Sequence, residues 1–111
     1  MEEEMLVCPI EITLNLLSSN WKTLIIRELL TGTKRFSEMK RVMPGVTQKM
    51  LTQSLRGLEE DGLIERKVYP VVPPKVAYTL TELGLSLGPV IDEMRRFGTH
   101  YYKLDLNKTS S

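Results

Sequence analysis

Apolar positions recur every three or four residues along most of this chain and alternate over one short stretch. The pattern predicts helices with a single hairpin. From Val46 to Lys67 the sequence reads VTQKMLTQSLRGLEEDGLIERK. Met50, Leu51, Leu55 and Leu58 form one apolar stripe there, and Thr47 is placed to cap the helix. Gly62 stops it as a C′ glycine does, and Leu63-Ile64 returns the chain to the core. Upstream, Pro9 suits the first position of a short helix carrying Ile10, Leu14 and Leu17. Asn20 is placed to cap a second helix, with Trp21, Leu24, Ile25 and Leu29 on one stripe. Arg35-Phe36 reads as a short extended link. Ser37 reads as the cap of a third helix, with Met39, Val42 and Met43 facing in and Lys40 and Arg41 facing out. Pro44-Gly45 is a turn signal before the helix already described.

Glu65 to Tyr69 and Val76 to Leu80 read as paired strands. The second sets Val76, Tyr78 and Leu80 against Lys75, Ala77 and Thr79. Between them, Pro70-Val71-Val72-Pro73-Pro74 is a stiff loop, because prolines fix φ and remove donors, and its valines are unusual for a surface tip. Thr81 is placed to cap the last helix, whose stripe runs Leu83, Leu87, Val90, Ile91, Met94, Phe97 and Tyr101. Pro89 cannot donate to the carbonyl of Leu85, so a kink or break is expected at Gly88-Pro89. Met1 to Val7 reads as a mobile arm and Leu104 to Ser111 as a frayed tail. The expected fold is mainly α with a small β-hairpin wing: one winged helix-turn-helix domain over 1–111, with mobile ends about 1–7 and 104–111.

Composition narrows this picture without changing it. With 111 residues, 41% hydrophobic and 26% charged, the chain suits one globular core. Its net charge of +1 hides an asymmetry: Lys34 to Arg56 holds six basic residues against Glu38 alone. That segment carries +5 and the remainder −4. The outer face of the Val46–Lys67 helix offers Gln48, Lys49, Thr52, Gln53 and Arg56, side chains that reach base edges and phosphates in a major groove. The plainer alternative is a solvated face on an ordinary amphipathic helix.

No catalytic, metal or cofactor site is expected. The chain has one His, one Cys, no GxSxG and no glycine-rich phosphate loop, and Cys8 with His100 makes too few ligands for a metal. One cysteine excludes an internal disulfide and fits a reducing cytosol. The acidic N-terminus is not a secretory signal, and no run approaches the roughly 18 apolar residues of a membrane span. A cytoplasmic, nucleoid-associated protein is therefore expected, with no membrane partner.

Six segments together carry a resemblance: CPIE at Cys8, NWKTLIIRELL at Asn20, RFSEMKR at Arg35, PGVTQKMLTQSLRGLEEDGLIERKVY at Pro44, VPPKVAYTLTELG at Val72 and LGPVIDEM at Leu87. In this order and spacing the chain resembles the HxlR family of bacterial winged-helix transcription regulators. The resemblance implies a homodimer whose terminal helices pair across a two-fold axis and which binds a palindromic double-stranded DNA operator. It also implies that an oxidant or small-molecule effector can act, since some members respond to oxidants or electrophiles through the cysteine corresponding to Cys8. Two positions depart from the pattern. Lys75 stands where arginine usually follows the double proline, and Phe97 where tryptophan is common.

These readings assign DNA contact to Arg35, Lys40, Thr47, Gln48, Lys49, Thr52, Gln53, Arg56 and Lys75. The dimer seam is assigned to Leu6, Ile10, Leu14, Leu87, Ile91, Met94, Phe97 and Tyr101. Cys8 is either a small packed hydrophobe or a redox sensor. Its place at the start of a helix favours reactivity, while Glu2, Glu3, Glu4 and Glu11 oppose it. The competing function is a winged-helix protein-interaction module that does not bind DNA. It differs in having no reason to keep acids off the Lys34–Arg56 face.

Overall fold

The structure, a computed structural model, describes residues 7–110, with side chains through Asp105. Its elements run Pro9–Leu16 (α1), Asn20–Leu29 (α2), Lys34–Arg35 (β1), Phe36–Arg41 (α3), Gln48–Glu60 (α4), Ile64–Tyr69 (β2), Lys75–Leu80 (β3), Glu82–Leu85 (α5) and Gly88–Ser110 (α6). The expected class is observed: mostly helix, with a small antiparallel sheet ordered β1-β3-β2.

The core is built where the stripes of α2, α3 and α4 meet β3 and the start of α6. Ile25, Ile26, Leu29, Met39, Met43, Leu51, Leu55, Leu58, Leu80 and Ile91 lie within it. Each such aliphatic side chain contributes about 1.5–3 kcal/mol on burial. In α4 the buried stripe is Leu51, Ser54, Leu55 and Leu58, at i, i+3, i+4 and i+7. Met50, expected in it, is 41% exposed. At about 100° per residue it stands roughly a quarter-turn from the stripe's centre, and Ser54 takes the inward place.

Both ends of α4 are fixed. The Thr47 hydroxyl accepts from the Met50 N–H at 3.0 Å, and Val46 just outside and Leu51 just inside are both buried, at the hydrophobic-staple positions. At the far end Gly62 adopts φ +76, so its N–H donates to the Glu59 carbonyl and that of Leu63 to Leu58, a Schellman closure. Thr81 then ties the corner to α5. Its hydroxyl donates to the Gly62 carbonyl at 2.7 Å and accepts from the Gly84 N–H at 3.1 Å. A Cβ at Gly84 would stand 2.1 Å from the Leu63 carbonyl oxygen, so only glycine allows this approach.

Several local expectations change. Ser19, not Asn20, caps α2, accepting from the Lys22 N–H at 3.1 Å. The expected Arg35-Phe36 link is divided between β1 and α3, and because β1 runs straight into α3, Arg35 occupies the cap position. Its N–H donates to Glu38 Oε1 at 2.8 Å, and Ser37 lies inside the helix. Val42 falls beyond the last turn of α3 and is exposed. Ala77, expected outside, is buried. It stands in the central strand between Arg35 and Lys67, whose long stems flank it. Tyr78 on the opposite face is buried as expected. Its pKa is raised by burial first and by the Glu59 charge second, with Arg66 opposing.

The expected break separates α5 from α6 at Ser86-Leu87, and Gly88 and Pro89, where it is expected, open α6. Beyond it the backbone is helical to Ser110, where a frayed tail is expected from Leu104. At about 1.5 Å per residue α6 is roughly 35 Å long. Its exposed length helps explain a radius of gyration of 16.7 Å, against about 13 Å for a compact chain of this size.

Candidate nucleic-acid interface

The sequence of α4 divides it into a buried stripe and an exposed polar face, and the caps orient that face. Gln48, Lys49, Thr52, Gln53 and Arg56 are all exposed and line one shallow depression. The five residues assigned to this face are thus brought together, with no carboxylate among them. Thr47, also assigned to DNA contact, uses its hydroxyl oxygen as the cap acceptor. The cap engages the Met50 N–H, and the N–H groups of Gln48 and Lys49 ahead of it have no acceptor within the helix, where a phosphate is favoured.

The other assigned cations lie outside the depression. Lys40 is exposed on α3, and Arg35 and Lys75 are exposed on the sheet. The register explains what the two sheet residues share. Arg35 pairs across to Ala77, Ala77 to Lys67, and Lys75 to Tyr69. Arg35, Lys67 and Lys75 therefore stand on the same sheet face, since β side chains alternate. Lys67 is a member of this group that sequence reading misses. Its position in IERKVY carries the signal, but only β1 shows that a third cation joins it. At the wing tip Val72 is fully exposed and Val71 45% exposed.

The second candidate surface is apolar. Val90, Met94, Phe97 and Tyr101 are exposed along α6, with the Phe97 and Tyr101 rings stacked at 6.3 Å between centroids. Pro89, Val90, Glu93, Met94 and Phe97 line a largely apolar groove there. Ile10 and Leu14 are exposed on α1, which has no buried residue. Two residues assigned to the dimer seam belong elsewhere: Leu87 and Ile91 are 8% and 7% exposed and sit in the protomer's own core. They join the core cluster that also holds Ile25, Ile26 and Leu29 of α2. Leu6 lies outside the described residues.

Cys8 is exposed at the N-cap of α1, and its side chain makes no capping bond. Packing inside the protomer is therefore not its role. Among the described residues no helix is long and apolar enough to cross a membrane.

A model of the HxlR-like helix-turn-helix family matches residues 16–105. The HTH-type transcriptional regulator YdeP of Bacillus subtilis (strain 168) is 49% identical over 94 residues, covering 85% of this chain and 73% of YdeP. Among solved structures, the redox regulator HypR in its reduced form superposes with a TM-score of 0.85 at 41% identity, covering 90% of this chain and 99% of that one. The reduced form of the transcriptional regulator YodB from B. subtilis gives a TM-score of 0.74 at 43% identity, covering 83% and 91%.

Proposed function

We propose, from the premise that this chain belongs to the HxlR-like helix-turn-helix family of transcriptional regulators, that it is a homodimeric single-domain regulator reading a palindromic operator through α4. One observation carries the reading: the acid-free depression formed by Gln48, Lys49, Thr52, Gln53 and Arg56. Its glutamines and threonine are suited to base edges, and Arg56 to a phosphate. Thr47 sets the helix N-terminus toward a second phosphate. Arg35 and Lys40 clamp the backbone beside it. The wing brings Lys75 to the adjacent minor groove, held out by Pro73-Pro74 at low entropic cost.

The apolar residues left bare on α1 and α6, Ile10, Leu14, Met94, Phe97 and Tyr101, are read as the seam with a second copy. Burying such stripes against a two-fold partner is the ordinary solution, and it places two copies of α4 about one helical turn of DNA apart, or a multiple of it. Likeness to the redox regulator HypR supports Cys8 as an oxidant-responsive group. It is exposed, it begins α1, and with no second cysteine in the chain its products are an intersubunit disulfide, a mixed disulfide or an adduct.

The test is selection of bound sequences from a random duplex pool, with the salt dependence of affinity measured on the winners. A palindromic consensus and a steep salt slope are expected. Retention of no sequence above background, with unchanged behaviour from low to high salt, would leave a module that docks on proteins instead.

A further inference from the structure

Between α2 and α6 lies a cleft of about 290 Å³ lined by Thr23, Leu24, Arg27, Ile91, Met94 and Arg95. Its walls are apolar: Ile91 is buried, Leu24 half-buried and Met94 half-exposed. The charged lining groups are two guanidiniums, one from each helix, with no lining carboxylate. Each bonds an acid outside the lining. Arg27 Nη2 bonds Glu28 at 3.3 Å, and Arg95 Nη2 bonds Asp92. A guanidinium carries five N–H donors, so both keep donors for a further acceptor. An apolar hollow between two such forks is complementary to an anion with a flat hydrocarbon body. Small-molecule sites run about 300–1,000 Å³, so this one limits its ligand to about one ring.

The position gives such binding a consequence. Helix α2 packs on α4 on one side and on α6 on the other. An occupant of the cleft therefore sits between α6, read as the dimer seam, and α2, on which the reading helix packs. It favours whichever angle between them it fits best, which is all a ligand needs to shift an equilibrium.

We propose that this cleft binds a single-ring aromatic carboxylate as an effector, and that occupancy changes DNA affinity by resetting α6 against α2. The effect on DNA rests on the regulator reading above, while the binding itself does not. The full chain is titrated calorimetrically with benzoate, 4-hydroxybenzoate and phenylacetate, and with the matching neutral amides. At least one acid binds about tenfold tighter than its amide, because only the carboxylate carries a negative charge toward the two guanidiniums. The double variant Arg27→Gln/Arg95→Gln, at exposed side chains, stays folded by circular dichroism and loses that preference. Met94→Trp fills the hollow and weakens acid and amide alike. The single tryptophan, Trp21, lies one turn before Leu24 on α2 and reports occupancy independently by fluorescence.

The proposal is overturned by no acid bound at millimolar concentration, by acid and amide bound equally, or by an unchanged preference in the double arginine variant. Binding that weakens as protein concentration drives dimerisation also overturns it, since a second copy then fills the cleft. Affinity for random duplex DNA is measured in parallel, with and without the acid. Duplex binding with no acid bound sinks the cleft alone. Acid binding with no duplex binding keeps the site and sinks the regulator reading.

Discussion

Helices α4 and α6 are both amphipathic, and they are turned opposite ways. Helix α4 buries Leu51, Leu55 and Leu58 within the protomer and presents a polar face. Helix α6 lies against the protomer core only near its start, through Ile91, and leaves Met94, Phe97 and Tyr101 outside. The face left outside indicates the kind of partner. An exposed row of Gln, Lys, Thr and Arg at a capped helix N-terminus suits a polyanion. Stacked exposed rings suit another apolar surface, since water is a poor neighbour for them. Their anchoring differs too. Helix α4 is closed by Thr47 at one end and by Gly62 and Leu63 at the other, which fixes how its polar face is presented. Helix α6 is joined to the body through the short α5 and the break at Ser86-Leu87.

The contrast breaks most clearly if stability and assembly respond to the same substitutions. Leu55→Ala opens a cavity in the core and should lower unfolding free energy by about 2–5 kcal/mol in a denaturant titration. Chain that remains folded should still pair. Phe97→Asp should do the reverse. It should raise the dimer dissociation constant roughly 100-fold by light scattering or sedimentation, with little change in protomer melting, because the residue is already exposed. If Phe97→Asp unfolds the protein instead, the α6 face belongs to the protomer and not to a seam.

Within the polar face the comparison sharpens into reading against positioning. Gln53→Ala should cost about 1–3 kcal/mol of operator affinity and relax preference at one base pair. Lys40→Ala should weaken all sequences alike and reduce the salt slope by about 1. Identical behaviour of the two would mean that α4 only positions.

Redox response probes the N-terminal end of the proposed seam. Diamide should lower or raise the operator affinity of the wild type by about fivefold or more and leave Cys8→Ser unmoved. Equal responses in both would make Cys8 a bystander. The smallest effect is expected at the wing. Lys75→Arg should tighten binding about two- to threefold, most on A·T-rich flanks, since the planar fork suits a narrow minor groove better than an ammonium.

Amino-acid order alone determined α4, its Thr47 cap, its Gly62 stop, the hairpin and the break before Pro89. Each is a local event: a hydroxyl reaching an N–H three residues on, a glycine free to take positive φ, a proline without a donor. The polar face of α4 was legible for the same reason, because helical geometry fixes which side chains share a side. Tertiary structure decided the rest. Strand β1 has two residues and no periodicity to read, so only its pairing with β3 reveals it and gathers Arg35, Lys67 and Lys75 on one face. Ser54 replaced Met50 in the core because burial depends on where the neighbouring helices stand, not on hydrophobicity alone. Leu87 and Ile91 read as one stripe with Met94 and Phe97, yet the protomer core takes in the first pair and leaves the second exposed. A stripe records which residues avoid water, and only packing shows how much of it the protomer covers and how much is left for a partner.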